Sequence, residues 1–108
     1  MEAKTRKRRL YQAEDGVVPF VQWIESLGRT SDARARILVR LDRAEQGNFG
    51  DDRSVGEGVR ELRIDFGPGY RVYLSVDGDE IILLWGGTKK TQRADIRKAQ
   101  EFWRDYNA

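Results

Sequence analysis

The spacing of apolar residues changes along the chain, and the changes mark the elements. Phe20, Trp23, Ile24 and Leu27 fall at i, i+3, i+4 and i+7, one stripe of a helix. Pro19 suits its first turn, where the N–H that proline lacks has no intrahelical partner, and Gly28 suits its end. A second helix is expected from a cap at Thr30 or Ser31 to about Gln46. Ile37, Leu38, Leu41 and Ala44 form its inner stripe, and Gly47 stops it. The short connection predicts an antiparallel helical hairpin.

After a polar stretch from Asn48 to Gly58, read as a loop, the period falls to two. Leu62, Ile64 and Phe66 alternate with Glu61, Arg63 and Asp65. Beyond a turn at Gly67-Pro68-Gly69, Tyr70, Val72, Leu74 and Val76 alternate with Arg71, Tyr73 and Ser75. Asp77-Gly78 signals a tight hairpin. The strand from Glu80 to Trp85 is apolar on both faces and is expected to be covered on both. Gly86 to Lys90 reads as a loop. A last helix, about Gln92 to Tyr106, carries Ile96, Ala99, Trp103 and Tyr106 at helical spacing. At the front, the basic stretch Lys4 to Tyr11 suits an edge strand, because charge discourages edge-to-edge pairing. The expected fold is therefore α+β: an N-terminal strand, a helical hairpin, a three-stranded antiparallel meander and a C-terminal helix, in one domain over residues 1–108. Trp23, Trp85 and Trp103 lie on apolar stripes, which points to packing rather than base stacking.

Composition narrows the chemistry. A 39% hydrophobic, 35% charged chain suits a folded domain with a heavily charged surface. There is no apolar run of transmembrane length, and no signal core follows the basic start at Met1 to Arg9, so a cytoplasmic protein away from membranes is expected. The absence of cysteine removes disulfides and thiolate metal sites. The absence of histidine removes the commonest general base and metal ligand. Acid–base work is left to Lys, Arg, Tyr, Asp or Glu, and no metal or cofactor is expected. A net charge of +2 does not by itself demand a nucleic-acid partner, so clustering of charge matters more.

Pairing the strands suggests such a cluster. A three-residue turn at 67–69 sets Phe66 opposite Tyr70, Ile64 opposite Val72 and Leu62 opposite Leu74, all apolar. The other face then pairs Asp65 with Arg71, Arg63 with Tyr73 and Glu61 with Ser75. The next hairpin returns the Gly86-Gly87 loop, with Lys89 and Lys90, beside Arg71. Glycines there let backbone approach a ligand, and the N-terminus of the last helix adds unpaired N–H groups. Together these form a candidate anion site suited to a phosphodiester. Charge pattern alone favours an ordinary cross-strand ion pair and a solvated loop for the same residues, and a solvated helix face for Arg36, Arg40 and Arg43. Gly67-Pro68-Gly69 is too short for a phosphate loop and lacks the Lys-Ser/Thr that would follow.

Longer stretches carry a family likeness. Asn48-Phe49-Gly50-Asp51, the run Val55 to Ile64, Gly67-Pro68-Gly69-Tyr70-Arg71-Val72-Tyr73 and the run Leu83 to Gln92 resemble the phage-associated HigB-like group of the RelE/ParE toxin superfamily, the addiction-module killer proteins. Asp95-Ile96, Ala99 and Arg34-Ala35-Arg36-Ile37 extend the resemblance over roughly residues 20–106. It implies a RelE-like fold and the toxin of a type II toxin–antitoxin module. That toxin would be a ribosome-dependent, metal-independent mRNA endoribonuclease that inhibits translation. Its partners would be a helix-turn-helix antitoxin, the ribosome and mRNA. Carried over by position, the catalytic residues are Arg63, Arg71 and Lys89, with Tyr73, Lys90 and Gln92 binding RNA. Thr88 departs from the Asp usual in that group. The alternatives are a gyrase inhibitor, as in the ParE branch, and an RNA-binding or interaction module without toxicity. In RNA cleavage Arg71 and Lys89 would clamp the phosphate, as a fork and a point charge. The proton acceptor stays open between Glu61, Asp65 and a lysine.

Overall fold

The computed structural model describes residues 4–108; the first three residues of the basic start lie outside the described residues. Helix α1 spans Pro19–Ser26 and α2 spans Asp32–Glu45. Pro19 opens α1, and the Ser31 side chain caps α2 by accepting from the Arg34 backbone N–H at 3.1 Å. Five strands follow the expected order with one addition. They are β1 (Lys7–Leu10), β2 (Asp52–Ser54), β3 (Arg60–Ile64), β4 (Tyr70–Asp77) and β5 (Glu80–Thr88). A 3-10 turn at Lys89–Thr91 leads into α3, Gln92–Tyr106. No helix among the described residues is long and apolar enough to cross a membrane.

The sheet order is β1-β5-β4-β3-β2. The expected meander β3-β4-β5 is antiparallel, and β1 adds to it in parallel with β5. The outer edge of β1 is not open. Glu45 at the end of α2 accepts the backbone N–H of Arg6 on its carbonyl and that of Arg8 on its carboxylate, at 2.7 and 3.0 Å. A covered edge offers no template to another strand.

Both faces of the sheet are covered. On one lie Phe20, Trp23 and Ile24 of α1 and Ile37, Leu41 and Ala44 of α2. They pack on Leu62, Ile64, Val72, Leu74, Ile81 and Leu83. On the other, Ala99 of α3 is buried with Tyr11, Val59, Tyr73, Ile82 and Leu84, and Trp85, Phe102 and Trp103 pack around them. The doubly apolar strand β5 thus sits between two helical layers, as its composition predicts.

Three expectations need correction. The stretch 48–58 is not all loop: Asp52, Arg53 and Ser54 pair with β3. The β3–β4 connection is five residues, not three. Leu62 faces Val72, Arg63 faces Arg71 and Ile64 faces Tyr70, two residues from the expected register. An even shift leaves every side chain on its face. Phe66 leaves the strand and lies beneath the Arg36 guanidinium, 4.3 Å from ring centroid to carbon, a cation–π contact that ties the turn to α2. Finally, Gly86 and Gly87 belong to β5 rather than to a loop. A Cβ at Gly86 would overlap the Trp23 ring, and one at Gly87 would overlap the Asp95 carboxylate. These glycines admit protein side chains, not a ligand.

Candidate functional site

Arg63 and Arg71 stand directly opposite each other on one face of the sheet. Like charges so placed repel, and the arrangement persists only where something of opposite sign compensates. The compensation is Glu61, two residues before Arg63 and therefore on the same face. It is fully buried. Its Oε2 accepts from the Tyr73 hydroxyl at 3.1 Å and from Gln92 Nε2 at 2.9 Å. Its Oε1 accepts from Arg53 Nε at 3.1 Å, and faces Arg63 Nε at 3.8 Å and Arg71 Nε at 3.9 Å. Three guanidinium groups converge on one carboxylate oxygen.

Beyond these groups the surface opens into a cleft of about 380 Å³, lined by Arg63, Arg71 and Lys89, by Asp51 and Asp65, and by the turn Gly67-Pro68-Gly69. The Lys89 backbone N–H donates to the Gly69 carbonyl at 2.8 Å, which fastens the start of the 3-10 turn to the β3–β4 connection. Arg71, opposite Gly87 in β5, is only 9% exposed, and its Nε, like that of Arg63, has no hydrogen-bond partner. Arg71 Nη1 donates to its neighbour's carbonyl, Tyr70 O, at 3.2 Å. Two guanidinium groups set opposite each other at a cleft carry a repulsion that an anion would relieve.

Of the six residues singled out from sequence, the structure gathers Arg63, Arg71 and Lys89 around this cleft. Tyr73 and Gln92 lie behind it, bound to Glu61. Tyr73 is completely buried, and burial, reinforced by the Glu61 carboxylate, drives its phenol far above the ordinary pKa of 10.0. It stays a neutral hydrogen-bond donor and does not meet a ligand. Lys90 is exposed and outside the lining. The N-terminus of α3 does not line the cleft either: Asp95, in its first turn, takes the Thr91 hydroxyl and the Trp85 indole N–H. Asp65 does not pair with Arg71 but lies at the rim, and Arg63 leans toward Asp51 at 3.8 Å. Among the described residues no group of three or more acidic, histidine or cysteine side chains is placed to hold a metal ion.

Two contributors were invisible in the sequence pattern. Arg53 reaches Glu61 only because β2 pairs with β3, and a three-residue strand has no readable period. Arg40, taken as part of a solvated stripe, turns inward. It donates to the carbonyls of Arg63 and Phe49, and burial draws its pKa down. It braces the end of β3 from the helical side and so holds Arg63 in place.

A family model for "Phage derived protein Gp49-like (DUF891)" matches residues 22–104. An "Uncharacterized protein" of Haemophilus influenzae (strain ATCC 51907 / DSM 11121 / KW20 / Rd) is 49% identical over 82 residues, which cover 75% of this chain and 82% of that protein. No solved structure matches. The family match corrects the resemblance to the RelE/ParE superfamily and its HigB-like group. The toxin assignment and the ribosome-dependent endoribonuclease activity fall with it. The antitoxin, ribosome and mRNA lose the ground on which they were expected. The physical reason lies in the motifs: Gly86-Gly87 makes room for Trp23 and Asp95, and Gly67-Pro68-Gly69 closes a turn. Such residues report how a chain folds rather than what it acts on.

Proposed function

The chain belongs to the phage-derived Gp49-like family (DUF891), and from that premise we propose that it binds phosphate groups in the cleft between Arg63, Arg71 and Lys89. One observation carries this reading: the nearly buried Arg71 and the Arg63 directly opposite it line one open cleft together with Lys89. Three cations and two carboxylates line that cleft, an excess of one positive charge. Arginine's planar fork suits two phosphate oxygens at once, and Lys89 at the mouth supplies a movable point charge. A nucleotide and a nucleic-acid backbone both present this chemistry. Both are cytoplasmic, and that is the setting we propose.

The test is calorimetric titration with inorganic pyrophosphate, a 5′-mononucleotide and a single-stranded oligonucleotide. All three probes should bind, and Arg71→Ala should abolish or strongly weaken each interaction. A markedly tighter oligonucleotide identifies a nucleic acid as the source of the phosphate; equal affinities identify a small nucleotide. Absence of heat and of chemical-shift change with all three probes would overturn the proposal.

A further inference from the structure

The Glu61 carboxylate is the most enclosed charge of the site, yet it does not line the cleft. Its two oxygens have different work. Oε2 is held by two neutral donors, the Tyr73 hydroxyl and the Gln92 amide. Oε1 faces the charged donors only: Arg53 at 3.1 Å, Arg63 at 3.8 Å and Arg71 at 3.9 Å. In both Arg63 and Arg71 the atom turned toward Glu61 is Nε, which in Arg63 also faces Asp51 at 3.8 Å, and in both it is buried without a hydrogen-bond partner. A guanidinium is planar, so a charge facing Nε restrains the orientation of the whole fork.

We propose that Glu61 is a positioning residue. It holds Arg63 and Arg71 by their Nε side, against their mutual repulsion, so that their terminal nitrogens serve the cleft. The inference rests on the phosphate-binding reading above, and it adds the residue that makes two opposed arginines usable as one site. Tyr73 and Gln92 belong to the same device, because they set the carboxylate's orientation without neutralising its charge.

The test exploits a difference in sign. Glu61→Gln removes a negative charge beside the cleft, so a role in background electrostatics alone predicts tighter binding of an anion. Positioning predicts the opposite: pyrophosphate affinity falls on the order of tenfold, because a fork released from its orientation must be immobilised again on binding. Nitrogen-detected NMR supplies the second readout. The Nε–H signals of Arg63 and Arg71 should exchange slowly with water in the wild type and faster in the variant. Should Glu61→Gln fail to fold, Tyr73→Phe takes its place. It changes no formal charge, keeps the buried ring, and should weaken pyrophosphate several-fold. Unchanged or tighter binding in the folded Glu61→Gln protein overturns the proposal, as does wild-type affinity in Tyr73→Phe if that variant must stand in. If the wild type itself ignores pyrophosphate, the binding reading fails. The exchange rates then decide separately whether Glu61 orders the two arginines: equal rates in wild type and variant reject it.

Discussion

At the scale of single residues, burial separates the cations that matter from those that decorate the surface. Arg104 pairs with Glu57 and Lys4 with Asp79 on exposed ground, where water screens the attraction and little stability is gained. Arg71 is different because it is nearly buried at the edge of an open cleft and faces Arg63. Arg71→Ala should therefore cost phosphate affinity on the order of tenfold to a hundredfold. Arg71→Lys should recover little of it, since a point charge cannot reproduce a fork. Titration with pyrophosphate checks both, and full affinity in Arg71→Ala removes this residue from the site. Tyr11 offers a separate readout. Burial, helped by its 2.6 Å hydrogen bond to Asp105, raises its phenol from 10.0 to about 12. A pKa raised in the folded state contributes stability that is complete below pH 10 and is lost as the pH climbs through about 12. Urea unfolding followed between about pH 9 and pH 12 should show this loss on top of that from Tyr73, whose phenol is raised further, and Tyr11→Phe should reduce the slope by the share of Tyr11 without abolishing it.

At the scale of elements, each one is placed by a small number of steric or capping facts. Ser31 anchors α2, and losing its cap in Ser31→Ala should destabilise the protein by about 1 kcal/mol without touching the cleft. Gly86 and Gly87 let α1 and the start of α3 approach the two sides of β5. Gly86→Ala forces a methyl group into the Trp23 ring and should cost about 1–3 kcal/mol, the usual range for overpacking. Chemical denaturation measures both, and a Gly86→Ala protein as stable as the wild type would show that Trp23 moves freely. These positions also show where local pattern stops. The start of α2 follows from its cap, that of α1 from Pro19, and the run of α3 from its period, all written in neighbouring residues. The end of β5 does not, because a glycine pair looks like a loop until the side chains that fill its space are known.

For the whole molecule, a net charge of +2 makes a weak overall field, so binding of a polyanion must come from local clustering. If Arg63, Arg71 and Lys89 each neutralise one phosphate of a single strand, log affinity should fall with log salt at a slope of about −2. A slope near zero would separate the cleft from polyanion binding altogether. The layered architecture explains the site's position. Helix α3 covers β4 and β5 on this face, packing with Tyr73, Ile82 and Leu84, and it leaves the β3 side with Arg63 and the turn open. The cleft is the part of the sheet that no helix reaches.

Local pattern was enough for the element order apart from β2, the three helices, the sidedness of β3 and β4, and the proximity of Lys89 to Arg71. Each follows from spacing, turn chemistry or chain connectivity, which act over short distances, and a two-residue slip in register leaves sidedness intact. It did not determine that Glu61 is the hub. From the pattern Glu61 is one of several candidate proton acceptors, and its place among the arginines shows only once α3 closes over it and β2 delivers Arg53. It did not reveal that Tyr73 and Gln92 stand behind the cations, nor that Arg40 braces them. Nor did it settle the activity, because the motifs that suggested a toxin are largely residues that make turns and close contacts. Only tertiary structure brings together groups from β2, β3, β4 and the 3-10 turn. Burial then decides which of these charges remain screened by water and which are left to be answered by another charge.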